Sequence, residues 1–288
     1  MTIIENTTAI AAEDDITAAL RKRYGAHVPE IASGANDILA HLLAHLLAHR
    51  SIRSYRPDPV PRQTVETLVA AAQSAASSSN LQTWSVVVVE DQARKQRLSE
   101  FAGNQKHIRE APLFLVWLAD LSRAERLAKR EGRPDEGLHF LETLLVAVID
   151  AALAAQNAVV ALESLGLGSV YIGAIRNRPQ AVAEELGLPP NVLSVFGLCV
   201  GYPDLSAGED VKPRLRQSVI VHRERYAPSD EVDGITAYDE TLRGFQTAQG
   251  VAAIGWREAV LNRLGSAKAL NGRDKLVDAL RALGFGLK

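Results

Sequence analysis

The stretch Leu138 to Leu165 is apolar nearly all round, and it limits this chain more than any other segment. Glu142, Asp150, Gln156, Asn157 and Glu163 interrupt it, and each would be expensive in lipid. It therefore reads as the central buried helix of a packed protein, one that needs covering on several sides by other elements or by another subunit. With 288 residues, 47% of them apolar, the chain can bury a full core as one large domain or two small ones.

A net charge of −2 gives no bulk attraction to nucleic acid or to an acidic membrane, so any anion site has to be local. Residues 1–20 carry Glu5, Glu13, Asp14 and Asp15 and no apolar run of the signal-peptide kind. A single cysteine, Cys199, cannot make an internal disulfide; it sits between Leu198 and Val200 and reads as a buried, inert thiol. The expected location is cytoplasmic.

Along the chain, residues 1–36 read as an extension, with helix over Glu13 to Tyr24 and loosening at Pro29, Ser33 and Gly34, and no chemistry is expected there. A helix from Asp37 sets His41, His45 and His49 four apart on one face, a solvated or packed stripe in preference to a metal site. Pro61 suits the first turn of a helix to about Ala76, and helices are expected over Gln92 to Ala102 and Gln180 to Leu186. Leu121 to Gly137 reads as a solvated helix, and Gly166 and Gly168 stop the long helix. Buried strands are predicted at Trp84–Val89 and Leu113–Leu118 and further strands at Ser169–Ile172 and Val192–Val200, with helices at Ala237–Phe245, Arg257–Leu264 and Lys275–Leu283. Strands alternating with helices give an α/β or α+β sandwich around one sheet.

Where the first histidine-bearing helix gives way to extended chain stands His49-Arg50-Ser51-Ile52-Arg53-Ser54-Tyr55-Arg56. Guanidinium groups three residues apart, with hydroxyls between, match phosphate oxygens. On its own the octet reads better as an ordinary basic helix end. It gains weight from Ser77-Ser78-Ser79, Asn104-Gln105-Lys106-His107, Tyr171-Ile172-Gly173 and Lys212-Pro213-Arg214. Gly166-Leu167-Gly168 follows a helix and not a strand, and Tyr171 stands where a third glycine belongs, so a Rossmann site is rejected. The sequence carries no Walker loop, His-Glu-x-x-His, Gly-x-Ser-x-Gly or paired-cysteine pattern, so hydrolysis and phosphoryl transfer lack their usual equipment. A redox cofactor with its own chemistry would need only binding groups from scattered polar loops.

Six blocks in order, over roughly residues 40–226, resemble the nitroreductase superfamily, closest to its oxygen-insensitive, NADPH-dependent flavin reductase group. They are His49 to Arg53, Ser77 to Gln82, Gly103 to His107, Glu163 to Gly173, Phe196 to Gly201 and Lys212 to Leu215. The resemblance implies an α+β fold, a central mostly antiparallel sheet flanked by helices, in a homodimer with FMN at the subunit interface. It implies ping-pong chemistry in which NAD(P)H reduces FMN and a nitroaromatic, quinone or flavin reoxidises it. It also implies an FMN-binding domain at 37–226 and a helical arm at 227–288 completing that domain, whereas the extension at 1–36 is unlike the family's compact start. By the same likeness Arg50, Arg53, Lys212 and Arg214 hold the FMN phosphate, with His49 at that end and Ser51, Ser77, Ser78 and Ser79 near the ribityl chain. Gln105 bonds the isoalloxazine edge, and the backbone of Tyr171, Ile172, Gly173 and Ala174 approaches the reactive ring nitrogen. Amides beside Gly173 would stabilise negative charge on the reduced ring, and no indispensable acid or base is expected.

Two departures stand out. The segment Gln246 to Gly255 has no cation where the group carries an arginine-rich loop for the NADPH 2′-phosphate, so NADPH and NADH should be weakly discriminated unless Arg223, Arg225 or Arg257 substitutes. Asn80 stands where an aromatic residue faces substrate in at least one group member. The competing readings are a flavin reductase serving a partner, a flavin-binding protein without turnover, and a helical interaction protein whose histidine stripe binds metal.

Overall fold

The structure is a computed structural model that describes residues 17–29 and 37–288. Residues 13–16 of the expected first helix lie outside the described residues, as do Ser33 and Gly34. In chain order the elements are α1 (residues 17–24), α2 (Asp37–Leu47), α3 (Arg62–Gln73), β1 (Trp84–Val89), α4 (Gln92–Phe101), α5 (Lys106–Glu110), β2 (Leu113–Asp120), α6 (Ser122–Arg130), α7 (Leu141–Ser164), β3 (Gly168–Ile172), α8 (Pro179–Leu186), β4 (Val192–Gly201), α9 (Gln217–Ile220), α10 (Glu231–Ala248), α11 (Gly255–Leu264) and α12 (Leu276–Ala282). They fold as two compact units. One is Ser51–Ala207 with Leu270–Lys288; the other is the described part of the chain up to Arg50 with Gly208–Ala269.

The first of these units is built on a four-stranded sheet of order β1-β2-β4-β3, every pair antiparallel. Side chains alternate across a strand. Leu113, Leu115 and Trp117 of β2 and Leu198 and Val200 of β4 therefore face α3 and α7, while Phe114, Val116, Leu118 and Cys199 face α4, α5 and α8. Both faces of β2 and β4 are covered, which is why their sequences run apolar without alternation. Gly197 stands in β4 where a Cβ would overlap the ring of Phe114.

The strand Trp84–Val89, expected to be buried, is instead the edge of the sheet: Trp84 to Val87 are half-buried, Val88 is exposed and only Val89 is buried. It has β2 on one side and, among the described residues, no strand on the other. Pro61 caps α3 without entering it, and α10 starts at Glu231, nearly two turns before the expected Ala237.

The long helix begins at Leu141, because Glu136–His139 forms a 3-10 turn and Phe140 is extended. Ala147, Ala151, Ala154, Ala155 and Ala158 are fully buried, and these small residues let α3 and the sheet approach its axis. By length and composition α7 could cross a membrane, yet this face is the core of the unit. Leu141, Leu145, Ile149 and Leu153, spaced four apart, stay exposed on the opposite face. Gly166 ends the helix in the left-handed region at φ 75°, with Gly166 N–H bonded to Glu163 O at 3.0 Å and Leu167 N–H to Leu162 O at 3.0 Å. That pair of bonds is a Schellman motif.

The second unit joins α1 and α2 to α9, α10 and α11. Leu20 of α1 packs with Ala40 and Leu47 of α2 in a small apolar cluster of its own.

Candidate functional site

Four of the sequence-predicted site residues lie in the second unit: His49, Arg50, Lys212 and Arg214. Burial alternates along Val211-Lys212-Pro213-Arg214, with the valine and proline inward and both cations exposed. In extended chain that alternation sets Lys212 and Arg214 on one side. Tyr238 of α10 anchors the stretch by donating its hydroxyl to Pro213 O at 2.9 Å.

The residue that joins this stretch to the end of α2 is one the sequence reading left without chemistry. Arg23, on α1, is 5% exposed. Its guanidinium donates to Leu47 O at 2.7 Å, to His49 O at 2.8 Å and to Lys212 O at 2.8 Å. Arg214 N–H in turn donates to Arg23 O at 2.9 Å. Both cation-bearing segments are thus fastened to one buried arginine.

The remaining candidates lie in the sheet unit: Ser51, Arg53, Ser77, Ser78, Ser79, Gln105, Tyr171, Ile172, Gly173 and Ala174. Ser51 forms a parallel bridge with Ser169, and Ile52 N–H donates to Ser169 O at 2.8 Å, so the arginine octet continues beside β3. Arg53 is exposed and acts electrostatically on His107. Gln105 Oε1 lies 2.8 Å from His107 Nε2. Burial, with Arg53 next, holds the His107 imidazole below its ordinary range; in the tautomer protonated at Nε2 the ring donates to Gln105 Oε1, which leaves the Gln105 amide nitrogen as a donor. Ser99, fully buried, fixes the Gln105 backbone by donating to its carbonyl at 3.0 Å.

Tyr171 packs edge-to-face on Phe196, with ring centroids 5.1 Å apart, and burial pushes its phenol up. Gly173 opens the 3-10 turn after β3. Its backbone is not left-handed, and the atoms nearest a Cβ there would be Arg176 Nη2 at 3.5 Å, Arg176 Nη1 at 3.9 Å and Arg273 Nη1 at 3.9 Å. Those are ordinary contacts, so the chain's own packing does not require glycine at 173. The two guanidinium groups flanking it were not anticipated from the sequence.

The serine loop is shaped by a second unanticipated residue. Asp150, 1% exposed in the middle of α7, accepts from Ser77 Oγ at 2.8 Å, Ser78 N–H at 3.1 Å, Thr83 N–H at 3.2 Å and Thr83 Oγ at 3.1 Å. Between those anchors Ser79, Asn80 and Gln82 take φ of 49°, 54° and 50°. Non-glycine residues rarely adopt that region, and it persists where surrounding bonds hold it. The loop borders a cleft of about 600 Å³ walled by Gln73, Ser77, Asn80, Gln82, Trp84 and Arg123. Cys199 is fully buried, and burial pushes its thiol well up, away from nucleophilic use.

Comparison with known proteins identifies the family to which these segments belong. The sequence model described as Nitroreductase family matches residues 46–202, and that of the Nitroreductase family, C-terminal domain, matches residues 212–288. Over 201 residues the chain is 42% identical to an oxygen-insensitive NADPH nitroreductase of Salmonella typhimurium, covering 70% of this chain and 80% of that one. Over 216 residues it is 41% identical to an NAD(P)H FMN reductase of Bacillus subtilis, covering 73% and 86%. Among solved structures, a hypothetical oxidoreductase from Bacillus subtilis superposes with a TM-score of 0.80 at 35% identity, over 86% of this chain and 98% of that one. The NADPH:FMN oxidoreductase from Vibrio harveyi, complexed with NAD+, superposes with a TM-score of 0.76 at 35% identity, over 86% and 99%. The matched region takes in the arginine octet, the serine loop, Gln105 and the glycine after β3, and the chain belongs to the Nitroreductase family.

Proposed function

We propose that the chain is an FMN-dependent NAD(P)H oxidoreductase that reduces small-molecule acceptors: nitroaromatics, quinones or flavins. The names of its relatives, an NADPH nitroreductase and an FMN reductase, support that reaction class. The observation that carries the reading is the fastening of His49-Arg50 and Lys212-Arg214 to one buried arginine, which concentrates fixed positive charge in a single unit. Such a cluster suits the dianionic tail of a flavin mononucleotide.

In this reading Arg50, Lys212, Arg214 and Arg53 hold the phosphate, with His49 beside them. Ser51 and Ser77 to Ser79 serve the ribityl chain. Gln105 presents its amide to the ring edge, and Tyr171 to Ala174 line the ring's approach. The fit is supported at Gly173, where no packing demand explains the missing side chain and two guanidinium groups stand by. FMN, when bound, supplies the acceptance and delivery of hydride. The protein's part is to bind, orient and exclude water, and it needs no proton-transferring side chain. The binding domain runs over residues 37–226, with 227–288 as its arm and 1–36 as an extension.

The exposed stripe Leu141, Leu145, Ile149 and Leu153 on α7 supports a homodimer. The reading places that dimer in the cytoplasm, with neither nucleic acid nor membrane as partner, in keeping with a net charge of −2. Nicotinamide discrimination is weak in this reading. The segment Gln246 to Gly255 carries no cation, and the neighbouring Arg243 and Arg257 both pair with the buried Asp239, at 3.0 and 3.6 Å.

Replacing Arg214 with alanine tests the phosphate assignment. It removes one charge-assisted contact worth about 1.5–3 kcal/mol, so FMN affinity should fall roughly ten- to a hundredfold. Unchanged affinity would put the phosphate elsewhere. A second reading, a reductase supplying reduced flavin to a partner, draws on the FMN reductase relative; turnover of free FMN against a nitrofuran or benzoquinone separates the two.

A further inference from the structure

We infer that Arg23 is a positioning residue for the phosphate grip, contributed by a helix N-terminal to the region that matches the family. That match begins at residue 46, whereas α1 spans residues 17–24. The inference rests on the FMN reading above and adds to it the device that assembles three of its cations.

Burying a guanidinium is costly unless its donors are met. Arg23 is 5% exposed, and its donors are met by main-chain carbonyls. Leu47 O and His49 O stand at the C-terminal end of α2, where carbonyls lack helical partners and the helix dipole favours a cation. Lys212 O belongs to a segment 189 residues away. Two of the three bonds set a peptide group next to a cation: the His49 carbonyl belongs to the peptide that leads into Arg50, and the Lys212 carbonyl to the one between Lys212 and Pro213.

The reverse bond, from Arg214 N–H to Arg23 O, fixes the third cation's own backbone. One turn of helix thereby orients Arg50, Lys212 and Arg214. Lys22 reinforces the seam through Asp210 at 2.5 Å, and Leu20 seats α1 on α2. Like charges held together repel, so a ligand dianion gains from a cluster assembled before it arrives. Arg23 does not have to touch the ligand; it acts through the three residues it aligns and through its own fixed charge.

The test measures equilibrium affinity of the full-length apoprotein for FMN and for riboflavin, which lacks the phosphate. The proteins are the wild type, Arg23→Ala, Arg23→Lys and, as an exposed neighbour on the same helix, Arg21→Ala. Arg23→Ala should lose FMN affinity by about tenfold while riboflavin affinity holds, so the FMN-to-riboflavin ratio falls by the same factor. Arg23→Lys keeps the charge without the three-way fork and should lie between, which keeps the inference testable if the alanine variant does not fold. Arg21→Ala should match the wild type. An unchanged ratio in the folded Arg23 variants, or equal loss for both ligands, would overturn the inference and leave the phosphate reading standing. A wild type that binds riboflavin as tightly as FMN would overturn the phosphate reading and this inference with it.

Discussion

Asp150 accepts the backbone N–H of Ser78 at 3.1 Å, which joins the middle of α7 to the serine loop 72 residues earlier. The same carboxylate takes bonds from Ser77 and Thr83, so a single side chain closes both ends of a loop whose interior is left-handed. Asp150→Ala would strand buried donors, and the expected loss of folding stability is roughly 2–4 kcal/mol. Urea unfolding measures it; a loss below about 1 kcal/mol would mean that water replaces the carboxylate without difficulty.

Gly173 and Gly197 should respond oppositely to alanine. At Gly197 the new Cβ overlaps the fully buried ring of Phe114, and overpacking of that kind costs about 1–3 kcal/mol or more. At Gly173 the new Cβ meets guanidinium ends at 3.5 Å and beyond, so stability should stay within about 0.5 kcal/mol of wild type while FMN affinity falls. Paired melting curves and flavin titrations check both. An unstable Gly173→Ala protein, or one that binds FMN normally, would contradict the assignment.

His107 gives a pH signature. Burial, then Arg53, holds its imidazole below the ordinary value, so the unfolded chain binds the proton more readily than the folded one. The resulting contribution is present above about pH 6.5 and is lost as pH falls through the folded value. Urea midpoints measured between pH 7 and 5 should therefore fall more steeply for wild type than for His107→Gln. Parallel curves would show that the ring is not held neutral.

Much of this was legible in the sequence, for physical reasons that differ by element. The strands β2 and β4 could be read because strands covered on both faces must be apolar throughout. The run of four valines in β1 looks the same, but edge position depends on which strands pair, and no local pattern records that. Gly166 was readable as a helix stop because the left-handed C-cap selects glycine. Asp150 was visible only as one of several polar interruptions of an apolar helix; its isolation there was the available signal. Arg23 left no trace, since its acceptors are main-chain carbonyls, which every residue carries.

The exposed stripe on α7 predicts a partner surface. Ile149→Glu puts a charge in the middle of Leu145, Ile149 and Leu153, and a contact between two copies would have to desolvate it. Light scattering should give a dimer for wild type and a monomer for the variant. A variant that remains dimeric would place the interface elsewhere.

A chain that holds a flavin and passes electrons from nicotinamide through it must show both half-reactions in the flavin's absorbance. Anaerobic stopped-flow mixing of the FMN-loaded protein with NADPH, and separately with NADH, tests this most directly. Flavin absorbance should bleach with both donors at rates fast enough for turnover, and return when a quinone is added. A protein that takes up no FMN, or whose flavin neither donor bleaches, would contradict the account.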